Sequence, residues 1–455
     1  MALIKRSAAA ITIVFCLFHH LTVASDGVRD EAKFNALLHA LLEKNERVLG
    51  AKAQLSIAYQ QLKIARSVWY PELDISVAKG HHNNYNSGSK IGFKQGRGRI
   101  SQLLWDFGAS NAELRKAYLQ LEINRLNLQQ TRQTLLLEAV SVYINLIRAK
   151  EILKYASASE DNIRRQTGLE QIRVARGSGY SSDVLQSKAQ LAGAISRRIQ
   201  SEGALRRAEN SFWQVFGVVG DTPETAHMLA QEEWQKLSNI SITDIIVISS
   251  KALRLAPLPQ NIKQATKLAN NNNTVLRRAV LEGDIARQTR RSIKAKTLYP
   301  QIKLTFERTF DENLRGNLGI NNELTSQVEI SMPINLGLAG VNRLRVQTLE
   351  VNRQNFDLRT QRRSIEKQVR DRWQDLQTSQ QQVSFLNQQA EISLAFLELA
   401  RKERKLGQRS LIDLLGSETA LVNARSDSVS AQADNLIATI ALLEIIGQLT
   451  LKTEK

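Results

Sequence analysis

The stretch VWYPELDISVAKG, residues 68–80, decides the fold. Its aromatic pair runs into Pro71, and Leu73, Ile75 and Val77 then alternate with polar neighbours. A period of two is strand patterning. The pattern returns at LYPQIKLTFERTF, residues 298–310, where Ile302, Leu304 and Phe306 alternate after Tyr299 and Pro300. Outward from both stretches the chain reads as helix. From residue 109 to 176 the apolar positions Leu114, Tyr118, Leu121, Leu128, Leu135, Ala139, Val142, Leu146 and Leu153 fall three, four or seven apart. That spacing makes an apolar stripe on a helix. No proline lies between Glu72 and Thr222 or after Ile334, so nothing breaks these helices. At ~1.5 Å per residue the long helix would span about 100 Å.

Landmarks recur at a constant offset. Tyr299–Pro300 follows Tyr70–Pro71 by 229 residues, and PINLG (333–337) follows LWDFG (104–108) by 229. IDLL (412–415) follows SDVL (182–185) by 230, and Gly447 follows Gly217 by 230. The chain therefore reads as an internal duplication. Repeat 1, residues 25–220, has a helix, strands over about 72–82 and 91–104, a long helix 109–176 and a helix 184–216. Repeat 2, residues 263–455, has a helix, strands over about 301–310 and 324–333, a long helix 338–406 and a helix 411–447. Residues 221–262 read as a linker. A residue before proline is pushed out of the α region, so each Tyr-Pro turns helix into strand. Gly108 and Gly337 are expected to reverse the change, and Ser181 or Ser182 to cap the helix after the first tight turn.

Of the 455 residues, 42% are hydrophobic and only 5% aromatic, which favours long helices over an all-β fold. The net charge of +18 points to an anionic partner or surface, such as nucleic acid, anionic lipid or lipopolysaccharide, or only keeps a large surface solvated. Residues 1–24 read as a cleaved signal peptide: Lys5 and Arg6, then an apolar run, then small residues at the cut. The one cysteine, Cys16, lies inside it, so disulfide and thiol chemistry are excluded from the rest. No later segment is apolar for ~18 residues, the length a spanning helix needs. A membrane-inserted chain must then use a closed barrel. Strands of ten to twelve residues suit a tilted spanning strand, but the smallest such barrels have about eight strands. Four per chain require several chains, and three copies give twelve.

Enzymatic chemistry has no support. His39, His81, His82 and His227 lack a metal-ligand set, and no phosphate loop or nucleophile motif occurs. No cofactor and no metal are expected. Asp106 reads as a turn residue, since its repeat partner is Asn335. The rival reading is an exported coiled-coil scaffold or adaptor protein without a pore. Export separates the chain from nucleic acid, so no nucleic-acid partner is expected.

The paired Tyr-Pro entries, QLLWDFG and MPINLG at the strand exits, and the turns GSGYSSDVL and GQRSLIDLL resemble the TolC-type outer membrane efflux and type I secretion channels. The resemblance covers nearly the whole chain after residue 24. It implies a mostly α chain with a small β part. Four strands per chain would build a trimeric, 12-stranded outer-membrane barrel continuing into a long periplasmic α-helical tunnel. It implies a homotrimer, outer membrane lipid around the barrel, a periplasmic adaptor protein, and an inner-membrane ABC transporter or proton-driven pump. Helix–strand borders fall at Tyr70, Pro71, Trp105, Gly108, Tyr299, Pro300, Pro333 and Gly337. At the periplasmic aperture Asp183, Arg409 and Asp413 match the family pattern. Arg404 and Gly416 depart from it, which suggests an Arg404–Asp183 ion pair as a latch. Adaptor docking maps onto Gly177, Gly179, Ser182, Val184, Leu185, Gly407, Leu411, Leu414 and Leu415, residues that equally serve turns and helix packing. Arg97 and Arg99 must face the lumen or lie near a strand end, because Arg on the lipid face costs about 2–4 kcal/mol at the midplane. Transport would be passive, and the resemblance leans toward protein secretion over drug efflux.

Overall fold

In the computed structural model, residues 34–84, 88–178, 180–217, 257–313, 318–332, 334 and 336–451 are described. Residues 34–44 are helical. There follow α1 (Glu46–Ser67), β1 (Glu72–Asn84), β2 (Ser89–Trp105), α2 (Ala109–Ala175), α3 (Ser181–Phe216), α4 (Ile262–Asn272), α5 (Thr274–Leu298), β3 (Gln301–Glu312), β4 (Ile320–Ser331), α6 (Ala339–Lys405) and α7 (Leu411–Ile445). Expected features at residues 1–24, Gly179, most of 221–262 and Pro333 lie outside the described residues.

The chain forms two compact units. One takes in the chain up to Leu49, Gln130–Asn273 and Ser364–Lys455; the other takes in Gly50–Gln129 and Thr274–Arg363. Each unit draws on both halves of the sequence.

The second unit holds the sheet, whose strands run in the order β1-β2-β3-β4, all antiparallel. At the hairpin ends the strands run further than the side-chain pattern suggests, whereas β4 stops at Ser331, short of the expected end at 333. β1 and β2 pair as far as Asn84↔Ser89, and β3 and β4 as far as Glu312↔Ile320. The ladder is made by backbone groups, so it continues through polar residues once both faces of a strand meet water. β2 carries Gly and Arg at many positions, yet it pairs on both sides as a central strand. Beside the sheet, Ala58, Leu62 and Leu121 form a small core with Leu55, Leu114 and Ala117 around it.

In the first unit, Ile163 of α2, Ala194 of α3, Leu397 and Ala400 of α6, and Leu411, Leu414, Leu415 and Leu421 of α7 make one core. Each buried leucine contributes about 2 kcal/mol from apolar area removed from water. The long helices end by the same device. The Gly177 N–H donates to Val174 O and Ser178 N–H to Arg173 O; Gly407 N–H donates to Arg404 O and Gln408 N–H to Glu403 O. Both glycines are left-handed, with φ of 80° and 77°. This pairing satisfies carbonyls a helix end would leave open. Ser410 caps α7, its Oγ accepting from Asp413 N at 3.1 Å. At α3 the expected serine cap is absent: the cap residue is Tyr180, and Ser181 and Ser182 lie inside the helix.

Candidate functional site

The sheet has two chemically opposite faces. Cross-strand partners share a face, so the registers assign every side chain. One face carries Leu73, Ile75 and Val77 of β1, Ile100 of β2, Ile302, Leu304, Phe306 and Phe310 of β3, and Leu324, Val328 and Ile330 of β4. Val77 is 83% exposed and Ile75 71%, so none of the described residues covers them. The other face carries Glu72, Asp74, Arg97, Arg99, Lys303, Glu307, Asp311, Glu323 and Glu329 among mostly uncharged polar residues, with Ile91, Phe93 and Leu103 as apolar exceptions. Arg99 Nε meets Glu307 Oε2 at 2.5 Å and Arg97 Nε lies 3.5 Å from Glu307 Oε1. The polar face thus holds six carboxylates against three cations, opposite in sign to the whole chain. One apolar and one polar face is the side-chain pattern that the wall of a membrane barrel requires.

A register shift between Leu103 and Trp105 puts Trp105 opposite Ile302, on the apolar face. A bulge re-aims a side chain in this way. Trp105 then meets the Phe107 ring edge-on at 6.2 Å, and Phe107 stacks on Tyr299 at 5.1 Å. Tyr70 is exposed at the same end of the sheet, next to Pro71. Such a belt fits a membrane–water border. Phe107 was not singled out in the sequence. Its φ of 53° is a left-handed value that no pattern announces. Asp106 accepts from Gly108 N at 3.1 Å and Ser110 N at 2.6 Å, so it caps α2. Gly108 is left-handed, with φ 89°, but Gly337 is not. In the second repeat the left-handed residue is Leu338, φ 56°, one position later, at a cost of roughly 1–2 kcal/mol.

The second candidate site is the end of the two helix pairs in the first unit. The suggested Arg404–Asp183 pair is not what the chain forms. Arg404 Nη2 donates to Glu170 Oε2 at 2.8 Å, and Nη1 to the Arg409 carbonyl at 3.0 Å. Glu170 is buried, whereas Asp183 is only half-buried. Arg409 lies 3.3 Å from Glu403 and sits over the Phe396 ring at 4.7 Å. Asp413 stands exposed in the first turn of α7, and Gly416 is exposed one turn on. Further in, two buried carboxylates are held by arginines. Glu160 takes Arg198 at 2.7 Å and Arg164, and Glu418 takes Arg401. Burial alone would raise the Glu160 pKa, but hydrogen bonds from Arg198 and Arg164 outweigh it and hold it below the usual carboxylate value.

The expected docking residues divide. Leu411, Leu414 and Leu415 point into the core and are at most 4% exposed. They hold the tip together and offer no surface. Leu185 is 69% exposed, Ser182 and Gly407 are exposed, and Gly177 is in the turn. Val184 is half-buried. Two apolar neighbours outside the expected set, Tyr180 and Leu406, are exposed beside them.

Among the described residues no group of His, Cys, Asp and Glu could hold a metal ion, and no helix is long and apolar enough to cross a membrane.

A two-faced four-stranded sheet joined to long helices is the fold of the outer membrane channel class. The model of the outer membrane efflux protein family matches residues 37–218 and 265–448, and the chain belongs to that family. It is 24% identical to the outer membrane efflux protein BepC of Brucella suis, over 90% of this chain and 84% of the relative. It is 22% identical to the outer membrane protein TolC of Escherichia coli, over 89% and 80%. Its fold resembles the crystal structure of CusC, with a TM-score of 0.75 at 16% identity over 90% of this chain and 91% of the other. The protein is therefore a transport component of the outer membrane, its helices forming the periplasmic tunnel, and part of a tripartite export system.

Proposed function

We propose that three copies of this chain close one twelve-stranded barrel and stack their helices into a single conduit. The observation that carries this reading is the pair of open edges on an amphipathic sheet. β1 and β4 each pair on one side only, and their apolar face is uncovered. In lipid every backbone group needs a partner, so the edges must pair with further copies. A seam on α6 supports the same assembly. Phe385, Ile392, Phe396 and Leu399 are exposed at steps of seven, four and three. Those steps mark a helix face that packs on another helix. A coiled-coil scaffold without a pore leaves the uncovered apolar sheet face unexplained.

At the periplasmic entrance the Glu170–Arg404 pair ties α2 to α6, with Asp183, Arg409 and Asp413 around it. This cluster closes the tip and loosens when the conduit opens. Gly177, Ser182, Val184, Leu185 and Gly407 form the surface for a periplasmic adaptor, which links the conduit to an inner-membrane ABC transporter or proton-driven pump. Transport through the conduit is passive. The cargo is a secreted protein or a small molecule, delivered by that transporter.

The test is the mass of the detergent-extracted protein and its conductance in a planar bilayer. A trimer with a small, mostly closed pore supports the reading; a monomer without conductance overturns it. Loss of a secreted protein in a deletion strain, against loss of resistance to small toxic molecules, separates the two cargoes.

A further inference from the structure

The apolar face of the sheet is not apolar throughout. Its registers place Lys79, Lys90, Lys94 and Arg308 on that face, all toward the β1–β2 and β3–β4 turns. Lys79 and Lys94 are direct cross-strand partners, a like-charge juxtaposition that destabilises a bare sheet. Only Glu312 opposes them, 2.8 Å from Lys94 Nζ. Arg308 is oriented by Nε donating to Asn322 Oδ1 at 3.3 Å.

Height sets what these cations meet. Arg308 lies six residues beyond Ile302, about 16 Å at ~3.4 Å per residue and ~40° of tilt. The row of Lys79 and Lys94 lies opposite Glu312, about 26 Å up by the same measure. The apolar band of such barrels is ~25 Å tall. The Lys79–Lys94 row therefore stands at the outer headgroup level, and Arg308 lies about 10 Å lower on the same ~3.4 Å rise and ~40° tilt, inside the apolar band, from where a long side chain reaches up toward the headgroups.

A second, independent feature sits between them. Gly96 and Gly98 lie on the same face of β2, flanked by Ile75 and Val77 on one side and Phe310 and Arg308 on the other. A Cβ at Gly98 would meet nothing within 4 Å, and one at Gly96 only the Phe310 carbonyl at 4.0 Å. Packing within the chain does not require glycine there. Glycine weakens a strand interior and marks close approach of another group. The two leave a bare strip, about 7 Å long at ~3.4 Å per residue, leading up to the cations.

We propose that this strip and its cations are a binding site for the phosphorylated saccharolipid of the outer leaflet, lipid A. An acyl chain lies over Gly96 and Gly98, and the sugar phosphates take Lys79, Lys94 and Arg308. Charge-assisted contacts to phosphate are the strong ones, and the Arg fork suits them geometrically. The site rests on the reading that the apolar face meets lipid.

The purified, delipidated protein is mixed with diphosphoryl lipid A, monophosphoryl lipid A or phosphatidylglycerol, and bound lipid is counted by native mass spectrometry. Diphosphoryl lipid A should bind most tightly. Lys79→Gln with Lys94→Gln and Arg308→Gln should weaken it about tenfold. Gly98→Leu, which fills the strip and keeps every charge, should weaken it too. Lys367→Gln with Arg353→Gln and Arg372→Gln, all on exposed faces of α6, removes the same three charges elsewhere and should leave binding unchanged. Equal binding of all three lipids by the unaltered protein overturns the proposal in favour of a general anionic surface. Unchanged lipid A binding in both sheet variants also overturns it. A conducting trimer that retains no lipid A refutes this inference alone. A protein that forms no pore refutes the channel reading with it.

Discussion

Arg404 of α6 donates to Glu170 of α2 at 2.8 Å, joining the ends of the two helix pairs through a buried carboxylate. Replacing Arg404 by Met leaves Glu170 buried without its charge partner. Breaking a buried pair in this way is costly, and Arg404 is partly exposed, so the expected loss is about 2–4 kcal/mol. Glu170→Gln with Arg404→Met should cost less than the sum of the single changes, which thermal melts of all four proteins would show. If the pair closes the entrance, bilayer conductance rises in both single variants.

The seam on α6 predicts assembly. Phe385 is 71% exposed in the single chain. Phe385→Asp should leave helix content unchanged and convert the proposed trimer to smaller species. Circular dichroism and mass in detergent check the two halves of this expectation.

Two carboxylates predict opposite pH behaviour. Glu160 has a lowered pKa: burial opposes ionisation, but Arg198 and Arg164 outweigh it. Its stabilising share is present above the ordinary carboxylate pKa and is lost as pH falls through its own lower value. Glu160→Gln should thus destabilise at neutral pH, and the difference should shrink on acidification. Glu444 is the reverse. Burial raises its pKa, and Arg372 offsets this only in part. The favourable protonated state is lost as pH rises through that raised value, so Glu444→Gln should stabilise at neutral pH and have no effect below the ordinary carboxylate pKa. Melting temperature against pH for both variants tests the signs.

The polar face of the sheet predicts selectivity. Six carboxylates face three cations there, although the chain carries +18 overall. The barrel section should favour cations. Glu307→Gln removes the counter-charge of Arg97 and Arg99 and should move the reversal potential toward anions.

The turns between helices predict a backbone cost. Gly407 holds φ 77°. Gly407→Ala should cost roughly 1–2 kcal/mol from left-handed strain alone, measured as a lower melting temperature without loss of helix content.

Much of the fold was legible because its signals are local. Pro71 and Pro300 constrain the residue before them whatever the rest of the chain does, so both strand entries stand where they were expected, at Glu72 and Gln301. The stripe from Leu114 to Leu153 gave α2, and Gly177 gave its end. Other expectations failed where partners decide. The left-handed turn falls on Leu338 rather than Gly337, because the exit geometry of the strand sets which residue must bend. Leu411, Leu414 and Leu415 looked equally fit for surface or core, since an apolar residue after a turn carries no label for the side it faces. The partner of Arg404 was misjudged because Asp183 and Glu170 are both remote along the chain, and only the packing of α2 against α6 sets which carboxylate the guanidinium meets.

The sequence by itself determined the kinds of elements, their order and their repetition, since proline, glycine and apolar spacing act within a few residues. Only the tertiary structure decided that β2 pairs with β3, which joins the two repeats in one sheet. That pairing assigns Arg97 and Arg99 to the polar face and Arg308 to the apolar one. A strand's side chains alternate with no mark of which face meets lipid; the register against its neighbours supplies it.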